Sequence, residues 1–280
     1  MAEQFPRWAD LPVSPVAFSG WDNRTFRLGD ALTVRLPSAA AYVGSVEKEL
    51  TWLPRLSPAL PLPIPVPVAA GVPSARYPWP WSIRRWIEGS PAAMVAVADL
   101  VVFAEQLAGF LRALRAVDPT DGPPLGPENF HRGGDLAVYD DETRRATALL
   151  ANVVDSDAVS RMWDDALAAR WDGPPVWFHG DVAPGNLLVD ASGRLCAVID
   201  SGQFGVGDPA CDLTIAWTLL RGRARSVFRA AMEVDESMWV RGRGWALWKA
   251  LSTIIAGDAG AYFIGQSWEV LRELRVMPDA

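Results

Sequence analysis

Lysine is almost missing: Lys48 and Lys249 are the only two in 280 residues, so nearly all the positive charge is arginine. A site that needs a lysine at one fixed place has at most two candidates. Cysteine is equally scarce. Cys196 and Cys211 form no CxxC pair and no even framework, which removes a disulfide-stapled secreted fold and a thiolate zinc site and leaves two reduced thiols. No apolar run approaches the roughly twenty residues needed to cross a bilayer, and no basic-then-apolar leader opens the chain. On that reading the protein is soluble and cytoplasmic, with no membrane partner. A formal net charge of −7 lacks the basic excess of a general nucleic-acid binder and suits a cationic small molecule instead. Nothing in the composition sets an oligomeric state.

What is there is 50% hydrophobic sequence, enough for a large core in one domain or in two lobes that share a cleft. The segments Val13–Ser19, Thr25–Leu28 and Ala31–Leu36, with Gly29-Asp30 as a tight turn, predict three antiparallel strands. Val46, Leu50, Leu53 and Leu56 recur at helical spacing and predict a helix that Pro54 bends or ends. The proline-dense run 61–67 is expected to be an extended connection, and Trp81–Ile87 one more strand. Glu88-Gly89-Ser90-Pro91 marks the first boundary. Beyond it the pattern turns helical: Asp99–Val117, Glu142–Val153 and Asp157–Arg170, then short strands after Pro174-Pro175, and helices again from Pro209.

The polar cargo is concentrated in one strand-to-loop segment, Val176 to Asn186, where Asp181 is followed five residues later by Asn186. Two further apolar runs, Leu187–Val189 and Leu195–Ile199, flank Ser192-Gly193, and the second ends in Asp200. A hairpin folded about Ser192-Gly193 would set Asn186 and Asp200 opposite one another, within about 5.5 Å between Cα atoms. An amide oxygen and a carboxylate suit Mg²⁺, which takes few protein ligands and completes its shell with phosphate and water. Beside such a pair, Asp181 is placed to accept a hydroxyl proton, and phosphoryl transfer needs little else beyond positioning and charge neutralisation.

The runs HGDVAPGNLLVD (179–190), VID (198–200) and GDPACDL (207–213) resemble the aminoglycoside phosphotransferase family, distant relatives of protein kinases. The resemblance extends through SGWDN (19–23) and VRLP (34–37). It implies an α+β, protein-kinase-like bilobal fold. Residues 1–88 would form a small antiparallel sheet with one helix that binds nucleotide, and 89–280 a larger, mainly helical lobe for catalysis and acceptor binding. It also implies Asp181 as catalytic base, Asn186 and Asp200 as Mg²⁺ ligands, His179 as a brace of the loop, and Asp208 and Asp212 as buried aspartates tying that loop to the following helix. The donor would be ATP or GTP.

On the nucleotide side the loop Ser19–Arg24 carries Gly20 and Asn23, one glycine being a weak phosphate-binding signal by itself. Where kinase-like folds place a lysine on the third strand, this chain has Arg35, and neither lysine is placed to replace it. Its helix partner is Glu47 or Glu49. Glu49 is preferred because it shares a face with Leu53 and Leu56. The adenine crevice is expected near Ile87. For the acceptor, Asp235, Glu236, Asp258, Glu269 and Glu273 could serve a polyamine sugar or simply form a solvated surface, and Trp239, Trp245, Trp248 and Trp268 could line a pocket or fill the core. The readings are an aminoglycoside-type kinase, a kinase of a macrolide or other hydroxylated metabolite, and a nucleotide-binding module with little catalysis.

Overall fold

The computed structural model describes residues 2–16, 22–258 and 260–278. Its first part is built on two-residue alternation. β1 (Val13–Pro15), β2 (Asn23–Leu28) and β3 (Leu32–Pro37) pair antiparallel, with Val13 opposite Leu28 and Phe26 opposite Val34. After α1 (Val43–Leu56), the strands β4 (Pro67–Gly71) and β5 (Trp81–Arg85) complete a five-stranded sheet of order β1-β2-β3-β5-β4. Side chains on one face, Leu28, Val34, Trp81 and Ile83, form a small apolar core capped by Phe5 and Trp8. The alternate residues Thr33, Arg35, Ser82 and Arg84 are equally buried, and the two arginines reach Glu49 of α1. A strand that is apolar on one face and charged but covered on the other is the first sign of a site beneath the sheet.

Three local readings are corrected. β4 emerges from the proline-dense run that the sequence reads as connection only. It is an edge strand, where Pro67 lacks no ladder donor that a neighbour requires, and a bulge between Pro67 and Ala69 takes up the irregularity. Pro54 neither ends nor replaces the last turn of α1, which runs on to Leu56, with the Ser57 amide closing on the Leu53 carbonyl. The strand expected over Trp81–Ile87 stops at Arg85, two residues earlier.

The second part opens with β6 (Ser90–Pro91) and α2 (Leu100–Arg115), followed by α3 (Asp140–Leu149) and α4 (Ser156–Ala168). Asp99 and Asp155 cap α2 and α4 through their carboxylates, as acidic residues just before an apolar stripe should. Then come β7 (Val176–Phe178), the hairpin β8 (Leu187–Val189) and β9 (Leu195–Val198), and β10 (Gly205–Gly207). The chain finishes with α5 (Ile215–Thr218), α6 (Gly222–Ala231), α7 (Glu236–Ala256) and α8 (Gly260–Glu273). α7 is the axis of this part, packed against α3, α4, α8 and the turn segment Pro209–Thr214. The main core runs from Leu53 and Leu56 of α1 through α2 to α8.

Two short pairings place the loops. β7 pairs with β10, Phe178 opposite Gly205, so the segments after Phe178 and before Gly205 emerge side by side. β6 pairs with β8, Ser90 opposite Val189, which fastens the chain leaving the sheet to the hairpin. Among the described residues no helix is long and apolar enough to cross a membrane.

Candidate active site

The loop after β7 is held from below. Asp212, fully buried, accepts hydrogen bonds from the His179 amide (2.9 Å) and the Gly180 amide (2.7 Å), and burial pushes its carboxyl up against that support. His179 braces the same turn: Nδ1 accepts from the Asp181 amide (3.3 Å), so Nε2 carries the proton donated to the Ile199 carbonyl (3.1 Å). Gly180 has φ +84°, and a Cβ there would lie 2.5 Å from the Gln203 carbonyl oxygen, so glycine is required twice over. Asp208 acts through the segment that follows it. It caps the segment Pro209–Thr214 through the Ala210 amide and pairs with Arg241 of α7 at 2.6 Å, tying that segment to α7.

Asp181 stands at the tip with both carboxylate oxygens engaged. Asn186 Nδ2 donates to Oδ2 (3.0 Å) and to the Asp181 carbonyl (2.9 Å), while Lys249 Nζ of α7 lies 2.5 Å from Oδ1. Burial works to raise its pKa, but Lys249, Arg132 and His179 outweigh it and hold the carboxyl down at about 2. With its nitrogen spent on Asp181, the Asn186 amide turns its oxygen the other way, the orientation a hard cation needs.

Asp200 is one residue out of the expected register. Leu187 pairs with Val198, the ladder shifts between Leu188 and Val189, and the Ile199 amide, not Asp200, meets the Asn186 carbonyl at 2.8 Å. A turn centred between Ser192 and Gly193 already sets Ile199 opposite Asn186, so the expected pairing with Asp200 runs one residue too far; the shift in the ladder brings the strands to that centre, since without it Asn186 would face Val198. Asp200 follows at φ +60° and is bound through Oδ1 by Arg35 Nη2. The two expected ligands still line one cleft.

Arg35 is the hub of a buried charged network. Its Nη1 donates to Glu49 Oε1 (3.0 Å), and the second oxygen of Glu49 is 2.5 Å from Arg84 Nη2. With the Asn23 amide oxygen turned toward Arg35, it accepts from Nη2 and Nε at 2.9 and 3.0 Å. Glu49 is 1% exposed, and although burial acts to raise its carboxyl, Arg35 and Arg84 hold it below the ordinary value. Asp22 sits next to this cluster. Burial and the Asp200 charge raise its carboxyl to about 6, against the pull of Arg35. Beside Glu49, Lys48 points elsewhere, donating to the carbonyls of Gly202 (2.8 Å) and Phe204 (3.0 Å) in the loop after Asp200.

Between sheet and hairpin lies a cavity of about 380 Å³ whose walls include Asn23, Arg35, Ile87, Asn186 and Asp200. Of the expected nucleotide residues, Glu49 stands behind Arg35, and Gly20 lies outside the described residues. A smaller cavity, about 50 Å³, opens between α7 and α8 and is lined by Val182 and Ala183, which follow Asp181, and by Thr218, Lys249 and Phe263 among others.

The acidic residues weighed for an acceptor site are elsewhere employed. Asp235 caps α7, Glu236 pairs with Arg229, Glu269 with Arg272, and Glu273 with Arg221 and Arg225. Trp239 stacks on Trp217, and Trp245 and Trp248 pack around Tyr139 and Arg132, so these three serve the core. Sequence reasoning missed Arg84 and Lys249. Arg84 had a signal: it alternates with Ile83 on a strand paired with β3 and so shares the face of Arg35. Lys249 had none beyond the rarity of lysine.

The fold has counterparts among known proteins. A family model described as the phosphotransferase enzyme family matches residues 13–251. Among solved structures, the GDP complex of aminoglycoside 2'-phosphotransferase IIIa is similar at 18% identity, covering 98% of this chain and 95% of that one with a TM-score of 0.72. A macrolide 2'-phosphotransferase from Brachybacterium faecium is similar at 21% identity, covering 96% and 95% with a TM-score of 0.64. An ADP-bound aminoglycoside 2''-phosphotransferase is similar at 17% identity, covering 97% and 96% with a TM-score of 0.63. No curated protein matches the sequence. Because the family match runs from β1 through most of α7, taking in the sheet and the loops that carry Asp181 and Asp200, the chain belongs to the phosphotransferase enzyme family.

Proposed function

We propose that this chain is a kinase of a small hydroxylated compound, with ATP or GTP as donor bound in the larger cavity and Asp181 as the base. The observation that carries this reading is the way Asp181 is held, one oxygen by Asn186, which lines the larger cavity, and the other by Lys249, which lines the smaller one. In the transfer, the acceptor oxygen forms a bond to the γ-phosphorus, the bond to the β-bridging oxygen breaks, and the hydroxyl proton passes to Asp181. The nucleoside diphosphate leaves. Arg35 supplies fixed positive charge for the donor phosphates, and Glu49 and Arg84 keep its fork in place. Asn186 and Asp200 offer the oxygen donors for Mg²⁺, which when bound would neutralise phosphate oxygens.

For the acceptor, the candidates are an aminoglycoside-like polycation and a less charged hydroxylated molecule such as a macrolide. The lining of the smaller cavity supports the second, although at about 50 Å³ it takes only the hydroxyl-bearing edge of such a molecule: its side chains are apolar or uncharged polar apart from Lys249, and four of the five carboxylates that might have met ammonium groups are capped or paired with arginine.

The test is Asp181→Ala. Turnover of Mg²⁺-ATP or Mg²⁺-GTP with a panel of kanamycin, a macrolide and simple glycosides should fall by about 10²–10⁴, the weight of a positioned base, with nucleotide binding by calorimetry retained. A variant that turns over at the wild-type rate would remove Asp181 from the mechanism.

A further inference from the structure

We propose that Lys249 is the positioning residue of the transfer, acting through Asp181 from the acceptor side. The inference rests on the kinase reading above and adds a residue that no motif supplies. A carboxylate on a loop rotates about its side-chain torsions unless both oxygens are held, and a base displaced by about 1 Å can lose some hundredfold in rate. Asn186 fixes only one oxygen, from within the same loop. The other is fixed by Lys249 Nζ at 2.5 Å, from the middle of the long helix α7, whose flanks Trp245, Trp248 and Leu251 are buried in the core. A rigid helix is a firmer support than a loop.

Two further observations separate this pair from an ordinary ion pair. Lys249 is one of only two lysines, and every other ion pair among the described residues uses arginine. At this position an ammonium does what a guanidinium does less well: it offers a compact charge with three donors. One donor is engaged by Asp181. The side chain is also 38% exposed and lines the smaller cavity, so the remaining donors lie within reach of an oxygen on an acceptor seated there. Lys249 thus keeps the base aimed and meets the acceptor beside the reacting hydroxyl. It does not itself take the proton.

The experiment compares wild type, Lys249→Met and Lys249→Arg, measuring nucleoside diphosphate release from Mg²⁺-ATP and Mg²⁺-GTP with water and with a macrolide as acceptors. Nucleotide affinity by calorimetry and the thermal midpoint are recorded for each. Lys249→Met should lower kcat by about 10–100-fold with nucleotide affinity unchanged, and Lys249→Arg, which keeps the charge but not the compact ammonium, should recover part of the loss and stay below wild type. Lys249→Met turning over as fast as wild type overturns the inference. So does an equal loss in both variants accompanied by weaker nucleotide binding and a lower midpoint, which is what a purely structural ion pair would give. A wild type that binds nucleotide but transfers to no acceptor, water included, overturns the kinase reading itself, and this inference falls with it.

Discussion

The two sides of Asp181 are made differently. Toward the larger cavity, Arg35, Glu49, Arg84, Asp200 and Asp22 form a dense set of charges, most of them buried and paired through short contacts. Toward the smaller cavity there is one charge, Lys249, among threonines, alanines and a phenylalanine. On the proposed function, the contrast follows from what each side is asked to recognise. A triphosphate is the same object in every turnover, and a fixed, desolvated set of charges suits it. An uncharged chamber discriminates by shape and by a few oxygen contacts, and its lining can change without disturbing the charges that serve the donor.

The comparison breaks most severely at Glu49. Glu49→Ala leaves Arg35 and Arg84 buried without their shared carboxylate, and should cost about 3–5 kcal/mol in chemical denaturation. A loss below about 1 kcal/mol would mean that water reaches both guanidinium groups. Because Glu49 is held below its ordinary pKa, its contribution is present above the unfolded value of 4.5 and is lost as pH falls through the lowered native value.

Arg35 sharpens the same side. Arg35→Ala should weaken nucleotide binding about tenfold or more, as expected for charge-assisted hydrogen bonds worth roughly 1.5–3 kcal/mol, whereas Arg35→Lys keeps binding and turnover. Equal dissociation constants for wild type and Arg35→Ala would place the phosphates elsewhere. Asp22 is a smaller effect with a defined sign. Its carboxyl is raised from 3.8 to about 6, so the folded state holds the proton more tightly, and stability falls as pH rises between those values. Asp22→Asn should therefore raise the thermal midpoint by a few degrees at neutral pH and leave it nearly unchanged below pH ~4. No difference at neutral pH would mean that Asp22 is well hydrated.

On the acceptor side, Glu269→Gln and Glu236→Gln should change stability by less than about 1 kcal/mol, as exposed pairs do. They should leave KM for kanamycin and for a macrolide alike. A rise in KM confined to kanamycin would restore those carboxylates to a polycation site.

Sequence reading succeeded where the relevant residues are close together along the chain. His179, Asp181, Asn186 and Asp212 lie within 34 positions and meet through backbone and short side-chain contacts, so their order already encodes their geometry. The hairpin pairing was off by one residue in the count from the turn, since a centre between Ser192 and Gly193 makes Ile199 and not Asp200 the partner of Asn186, and the shift that sets this centre has no fixed residue signature. The acidic residues near the C-terminus were uninformative for another reason. Arginine is so abundant that an acid has a partner within reach almost anywhere, and only coordinates say which acids remain for a ligand. Lys249 shows the limit most clearly: 68 residues separate it from Asp181, and only the packing of α7 against the segment Pro209–Thr214 brings them together.

Lys48 and Glu49 are neighbours in α1 that pull in two directions, one on the carbonyls of Gly202 and Phe204, the other on arginines of β3 and β5. The helix is therefore an axle with the sheet pinned to it on one side and the loop after Asp200 on the other. A sheet rocking over a bound nucleotide would turn about this axle and draw Asp200 along with it, so that opening of the cleft and withdrawal of a metal ligand become one movement. Burial lowers the Lys48 ammonium to about 8, so one of the two pins loosens in mildly alkaline solution while the other holds.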